Sequence, residues 1–250
     1  MRSMAKTILI TGASSGLGAE MARQFADRGY DLALCARRID RLEDLKADLL
    51  ERHPGCRIAV RSLDVTDDEA VFTVFRSFAE ELGTIDRVVV NACLGKGAPL
   101  GTGRYEANRE TAVTNFVGAL AQTEAAMEIF RRQESGHLVM VSSMSAVRGM
   151  PRSMATYAAT KAGVAHLAEG LRAELHGGPI KVTVLYPGWI ASEMNEGNKS
   201  PLLVSTEKGV RAMVEAIEKE KGSAHVPPLP WAPMSVVLRH APLPVFKKLI

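Results

Sequence analysis

Cysteine, aromatic side chains and unbalanced charge are all scarce in this chain of 250 residues. Its three cysteines, Cys35, Cys56 and Cys93, are odd in number, lack C-x-x-C spacing and follow no secretory signal. That excludes a disulfide framework and points to a reducing interior, the cytoplasm by default. The formal net charge is only +3, with basic residues scattered among acids, so the concentrated basic face of a nucleic-acid binder is absent and no nucleic acid is expected as a partner. His53, His137, His166, His176, His225 and His240 show no ligand spacing, so no metal is predicted. No stretch approaches the roughly 18 apolar residues of a membrane-spanning helix, and there is no internal repeat or low-complexity linker. Met4 offers an alternative start to Met1.

What remains is a chain with 46% hydrophobic residues, long enough to bury one large core. Short β-branched runs alternate with longer amphipathic ones. Residues 6–11, 31–36, 57–62, 86–91, 137–143 and 181–186 read as strands, each followed by a helix pattern, the first over 17–29. Most of these runs are continuously apolar, as parallel strands covered on both faces require. At 66–69, "TDDE" reads as a capping box in which Thr66 caps a helix and Glu69 reaches back. The predicted fold class is α/β: a single-domain, Rossmann-like, doubly wound parallel sheet with helices on both faces. The catalytic unit spans 1–226 with a variable lid at about 189–205, and a proline-rich apolar tail covers 227–250, where prolines preclude one long helix.

In such a sheet ligands bind beyond the carboxyl ends of the strands. After the first strand comes "TGASSGLG", where Gly12, Gly16 and Gly18 follow G-x-x-x-G-x-G spacing and not the strict G-x-G-x-x-G. Glycine lets a backbone approach a pyrophosphate closely, and a helix start presents unpaired N–H groups to it. Ser14 and Ser15 add hydroxyl donors, and Leu17 lies between the last two glycines. At the end of the second strand an NAD site usually carries a carboxylate for the ribose 2′-hydroxyl. That position falls on Ala36, and Arg37 and Arg38 follow, fork-shaped cations suited to a 2′-phosphate, so the expected cofactor is NADP(H).

The ordered motifs "TGASSGLG", "LDV" (63–65), "VNAC" (90–93), Asn115 in "TNF", "SSMS" (142–145), "YAATK" (157–161) and "YPG" (186–188) make the chain resemble a single-domain short-chain dehydrogenase/reductase over about residues 5–190. The resemblance implies that Asp64 and Val65 hold the adenine, that Asn91 and Ala92 border the adenosine side, and that Pro187, Gly188 and Ile190 flank the nicotinamide. One departure is Cys93, where the family usually has glycine; a required positive φ there would strain it.

Residues four apart on a helix share a face, so Tyr157 and Lys161 converge on one site. A ketone reduced by hydride transfer needs a proton on its oxygen, and a free tyrosine, with a pKa of about 10, releases one poorly near neutrality. At roughly 4 Å and an effective dielectric near 20, a lysine charge favours phenolate by about 4 kcal/mol, about three pKa units before screening and desolvation reduce it. Lys161 is therefore expected to act on the phenol and, by resemblance, to hydrogen-bond the nicotinamide ribose. Resemblance also gives Ser143, at the end of the fifth strand, the role of donor to the substrate oxygen, with Ser142 and Ser145 as rivals and a bulged loop before Tyr157. It gives Asn115, inside a helix beginning near 108, a water that relays protons to Lys161.

The lid carries Trp189, Ile190, Met194, Leu202 and Leu203, which favours an apolar small-molecule carbonyl or alcohol as substrate. Trp231, Met234, Leu238 and Phe246 in the tail read first as packing on the body or on a subunit partner; a substrate-tunnel wall and a basic membrane contact through Arg239, Lys247 and Lys248 are less favoured. By resemblance, helices containing 108–131 and 153–176 form a homodimer or homotetramer interface, with Ala158, Ala162 and Gly163 permitting close approach. The sequence thus reads as an NADPH-dependent carbonyl reductase/alcohol dehydrogenase. The alternative is a catalytically silent NADP(H)-binding sensor or scaffold, against which the intact Tyr157 and Lys161 speak.

Overall fold

A computed structural model describes residues 5–249; residues 1–4, where the alternative start falls, and residue 250 of the tail lie outside the described residues. The chain runs β1 (Thr7–Thr11), α1 (Gly16–Ala26), β2 (Asp31–Ala36), α2 (Ile39–Arg52), β3 (Ile58–Ser62), α3 (Asp68–Leu82) and β4 (Arg87–Val90). It continues through α4 (Tyr105–Ala112), a π turn at Val113–Val117, α5 (Gly118–Gln133), β5 (Gly136–Val141), α6 (Ala155–Glu174) and β6 (Ile180–Pro187). Last come α7 (Thr206–Glu218), β7 (Ser223–Val226), α8 (Pro228–His240) and α9 (Leu243–Leu249).

All strand pairs are parallel, in the order β3-β2-β1-β4-β5-β6-β7. Alternate residues of one strand feed two different cores. Ile8 and Ile10 of β1 pack with α1, α2 and α7, whereas Leu9 packs with α3, α5 and α6. This two-sided burial is why the strands carry no polar alternation. Strand order reverses between β1 and β4, so the segments after these strands flank the crevice in which a doubly wound sheet binds its ligand.

Several local expectations change. The cap of α3 is Asp67, whose carboxylate accepts from the Ala70 N–H at 3.0 Å, and not Thr66. Thr66 instead donates its hydroxyl to Asp64 Oδ1 at 2.8 Å, which removes it from capping and leaves no capping box with Glu69. The first helix stops at Ala26, three residues early, because the chain turns at Gly29 with φ of 78°. The helix expected near 108 begins at Tyr105. The strand β7 was not anticipated; it is a four-residue edge strand with little apolar content.

The tail folds as α8 and α9 and packs on the body. Trp231, Leu238 and Phe246 are buried with Met144, and Arg148 clamps the segment by donating to the Leu238 carbonyl at 3.0 Å and to that of Ala241, with its guanidinium 4.4 Å from the Phe246 ring centroid. Among the described residues, no helix is long and apolar enough to cross a membrane, and no cluster of three or more His, Cys, Asp or Glu side chains could hold a metal.

Candidate active site

The glycine-rich turn after β1 is shaped by two left-handed glycines, Gly12 (φ 65°) and Gly16 (φ 53°), a region costly for any side chain. It is also too tight for side chains: a Cβ on Gly12 would lie 2.9 Å from the Ala92 Cα, and one on Gly18 would lie 2.9 Å from Asn91 Nδ2 and closer still to the Gly12 carbonyl. Asn91, just past β4, holds this packing by donating Nδ2 to the Thr11 carbonyl at 2.9 Å. Thr11 Oγ1 in turn accepts from the N–H groups of Asn91 and Ala92, both at 3.0 Å. Asn91 and Ala92 thus brace the turn, and Thr11 completes the brace although its role was not anticipated from the sequence. The only available signal was its position directly before Gly12.

Arg38 folds back over this turn. Its Nη2 donates to Ser15 Oγ at 2.7 Å and to Ser14 Oγ at 3.3 Å. Arg37 is exposed and does not join it; its carbonyl accepts from Ser62 Oγ at 3.4 Å. Leu17 packs against the core from the start of α1. Asp64 is committed to Thr66 through both its N–H and its hydroxyl, while Val65 is buried beneath α5, its carbonyl against Gly118. Asp31 stands at the far end of β2, paired with Arg57 at 2.8 Å, and is no candidate for the ribose. A dinucleotide fits these residues: a turn with room for backbone only, N–H groups at a helix start, and a guanidinium beside two hydroxyls, with Ala36 offering no carboxylate.

Tyr157 and Lys161 lie on one face of α6, with Lys161 Nζ 5.9 Å from the phenol ring centroid. The ammonium is buried and donates to the Val141 carbonyl at 2.9 Å, while Ser142 Oγ donates to the Lys161 carbonyl at 2.7 Å. Two hydrogen bonds therefore fix the end of β5 to α6. This corrects the expectation that the lysine charge dominates the phenol. Burial is the leading influence and pushes the Tyr157 hydroxyl above its ordinary range, Cys93 adds to that rise, and a hydrogen bond with Ser143 opposes it.

The three serines separate by geometry. Ser142 is buried and committed to Lys161. Ser143 does not end β5, which stops at Val141; it caps a short 3-10 turn, Met144–Val147, the first of two such turns that take up the extra length before Tyr157. Its oxygen accepts from Ser145 N–H at 3.1 Å and from Ser145 Oγ at 2.9 Å, which leaves its own hydrogen for another acceptor.

Asn115 lies in the π turn, not in regular α-helix. The widened turn brings its side chain to the segment after β4, where Oδ1 accepts from Leu94 N–H at 2.7 Å and Nδ2 donates to the Leu94 carbonyl at 2.9 Å. Cys93 sits beside Tyr157, and its φ is not positive, so it replaces glycine without backbone strain.

Pro187, the last residue of β6, is buried, and Gly188 makes room for the Trp231 indole, which lies where a Cβ would be. Ile190 pairs with Val204 and closes the base of the lid, and Trp189 meets Trp231 edge-on with centroids 5.5 Å apart. Met194 packs on Gly95, so the lid reaches the loop after β4.

The short chain dehydrogenase family model matches residues 6–202. An uncharacterized oxidoreductase of Mycobacterium tuberculosis is 57% identical over 228 residues, covering 91% of this chain and 90% of that protein. A short-chain dehydrogenase from Sphingobium yanoikuyae, solved in complex with NADPH, has a TM-score of 0.82 at 27% identity, covering 97% of this chain and 95% of that one. A short chain dehydrogenase/reductase from Burkholderia phymatum, solved in complex with NAD, has a TM-score of 0.83 at 21% identity over 96% and 95% of the two chains, a likeness of fold. With its glycine turn braced by Thr11 and Asn91 and its Ser143, Tyr157 and Lys161 gathered beside β5, the chain belongs to the short chain dehydrogenase family of oxidoreductases.

Proposed function

We propose that the chain is an NADPH-dependent carbonyl reductase, reversible as an alcohol dehydrogenase, acting on an apolar ketone or secondary alcohol. The observation that carries this reading is the placement of Tyr157 and Lys161 on one face of α6, with Lys161 anchored on the Val141 carbonyl. Bound nicotinamide supplies or accepts the hydride. The chain's own residues manage the proton. Tyr157 Oη donates to the substrate oxygen as negative charge develops there, and Ser143, its oxygen engaged by Ser145, offers its hydrogen to the same charge. Burial keeps the phenol protonated in wait for that oxygen, which suits reduction. Lys161 holds a fixed positive charge behind the ring, stabilising phenolate once the proton has gone. Asn115 ties π turn to loop and sets the wall opposite Thr160, 3.5 Å from its Nδ2.

NADPH over NADH rests on Arg38 with Ser14 and Ser15, and on Ala36 where a ribose-binding carboxylate would stand. An apolar substrate is favoured by Trp189 and Met194, each almost half exposed on the lid. A homo-oligomer is favoured by Phe116, Val117, Leu120 and Met154, exposed apolar residues on the π turn, α5 and the approach to α6. The cysteines favour a reducing compartment such as the cytoplasm.

A panel of ketones and secondary alcohols assayed with NADPH and NADH, alongside Tyr157→Phe, tests the reading. NADPH should be preferred, and the variant should bind cofactor normally while turnover falls by about 10²- to 10⁴-fold. Preference for NADH would remove the Arg38 assignment, and undiminished turnover in the variant would remove Tyr157 as the acid.

A further inference from the structure

One carboxylate from the lid reaches across more than 150 residues of sequence to the cations at the start of α2. Glu193 Oε1 accepts from Arg41 Nη1 at 2.8 Å, and its Oε2 lies 3.5 Å from Arg38 Nη1. Arg38 is the same guanidinium that donates to Ser14 and Ser15 of the glycine turn. The lid segment bearing Glu193 is a built turn: Ser192 N–H donates to Asn195 Oδ1 at 2.9 Å, and Asn195 Nδ2 donates to the Ile190 carbonyl at 2.8 Å. Ser192 also faces the glycine turn, since a Cβ on Gly16 would stand 3.5 Å from its own.

We propose that Arg41 is a second cation of the 2′-phosphate site and that Glu193 is an internal competitor for it, so that binding of a 2′-phosphomonoester and seating of the lid on α2 exclude each other. The proposal rests on the NADPH reading. A carboxylate bridging two guanidiniums occupies the donors that a phosphate would use. A phosphomonoester carries roughly −1.5 to −2 charge and three acceptor oxygens against one charge and two oxygens for the carboxylate, so it wins the same donors. A neutral 2′-hydroxyl does not, and leaves the lid latched. The latch is weak enough to open, because the side chains of Arg38, Arg41 and Glu193 are 42%, 45% and 59% exposed and such pairs are strongly screened. Arg41's hydrogen bond nevertheless holds the Glu193 carboxyl below its usual range, so it stays charged and competing near neutrality.

Titration calorimetry with 2′,5′-ADP and 5′-AMP separates the possibilities without turnover. Glu193→Gln should tighten 2′,5′-ADP by about three- to ten-fold while 5′-AMP changes by less than about two-fold, and Arg41→Ala should weaken 2′,5′-ADP by a similar factor. In the Arg41→Ala background the gain from Glu193→Gln should shrink, because the competitor's better partner has gone. If the unsubstituted protein prefers 2′,5′-ADP but Glu193→Gln leaves both affinities unchanged or raises both equally, the latch is refuted and the NADPH reading survives. If the unsubstituted protein does not distinguish the two nucleotides, both ideas fall.

Discussion

Gly18 and Gly170 both sit inside helices, yet alanine should act on them in opposite directions. Alanine is favoured over glycine in a helix interior by about 1 kcal/mol. At Gly170, exposed on α6, an added Cβ meets nothing within 4 Å, so Gly170→Ala should collect that gain and raise Tm by about 2 to 4 °C. At Gly18 the added Cβ would lie 2.9 Å from both the Gly12 carbonyl carbon and Asn91 Nδ2 and nearer still to the carbonyl oxygen. Ordinary contact begins near 3.4 Å, so backbone must move. Overpacking of this kind costs about 1 to 3 kcal/mol. The net effect on stability is therefore a loss of up to about 2 kcal/mol, or a Tm lower by up to about 8 °C. Function should suffer more, because Gly12 belongs to the turn we propose lies against the pyrophosphate, and misplacement by about 1 Å can cost about 10²-fold. Thermal melts and NADPH titrations of the two variants provide the measurement. A Gly18→Ala protein that melts higher, as Gly170→Ala does, and binds NADPH unchanged would refute the close-packed cradle.

His137 supplies a pH test. It is buried between strands, its Nε2 is 2.8 Å from Thr183 Oγ1, and burial, aided by the charges of Arg87 and Lys6, lowers its pKa from 6.5 to about 3. The unfolded chain takes up this proton near 6.5 and the folded chain does not, so the stabilisation is complete above 6.5 and is lost as pH falls toward 3. Urea unfolding should show stability falling by about 1.4 kcal/mol per pH unit below that point through this residue. The slope should be absent from His137→Gln; identical slopes would show that the folded protein already protonates the ring. At the other end of the site, Gly188→Ala should expel the Trp231 indole, shifting tryptophan emission toward the red and lowering Tm, because the ring occupies the space a Cβ needs. An unchanged spectrum would refute that packing.

How much was legible in the sequence follows from the range of the interactions involved. The strands from Thr7–Thr11 to Ile180–Pro187 could be placed within two residues at either end, because a parallel strand buried on both faces is apolar along most of its length. The glycine turn and the Tyr157 to Lys161 spacing were equally legible, since a positive φ and a shared helix face are local requirements. The edge strand Ser223–Val226 was not, because its exposed outer side asks little of its residues.

Tertiary structure alone decided which neighbour each polar group meets. Thr66 and Asp67 are both acceptable caps in sequence, and the choice went to Asp67 once Asp64 had claimed the Thr66 hydroxyl. The rise of the phenol's pKa could not be read from spacing, because burial, which a four-residue interval does not reveal, is its leading cause. The commitment of Ser142 to the Lys161 carbonyl, the seat of Trp231 on Gly188 and the reach of Glu193 to Arg38 and Arg41 all join segments far apart in the chain. Local pattern specifies which elements form; hydrogen-bond partners and burial are set only when the packed sheet brings distant ends together.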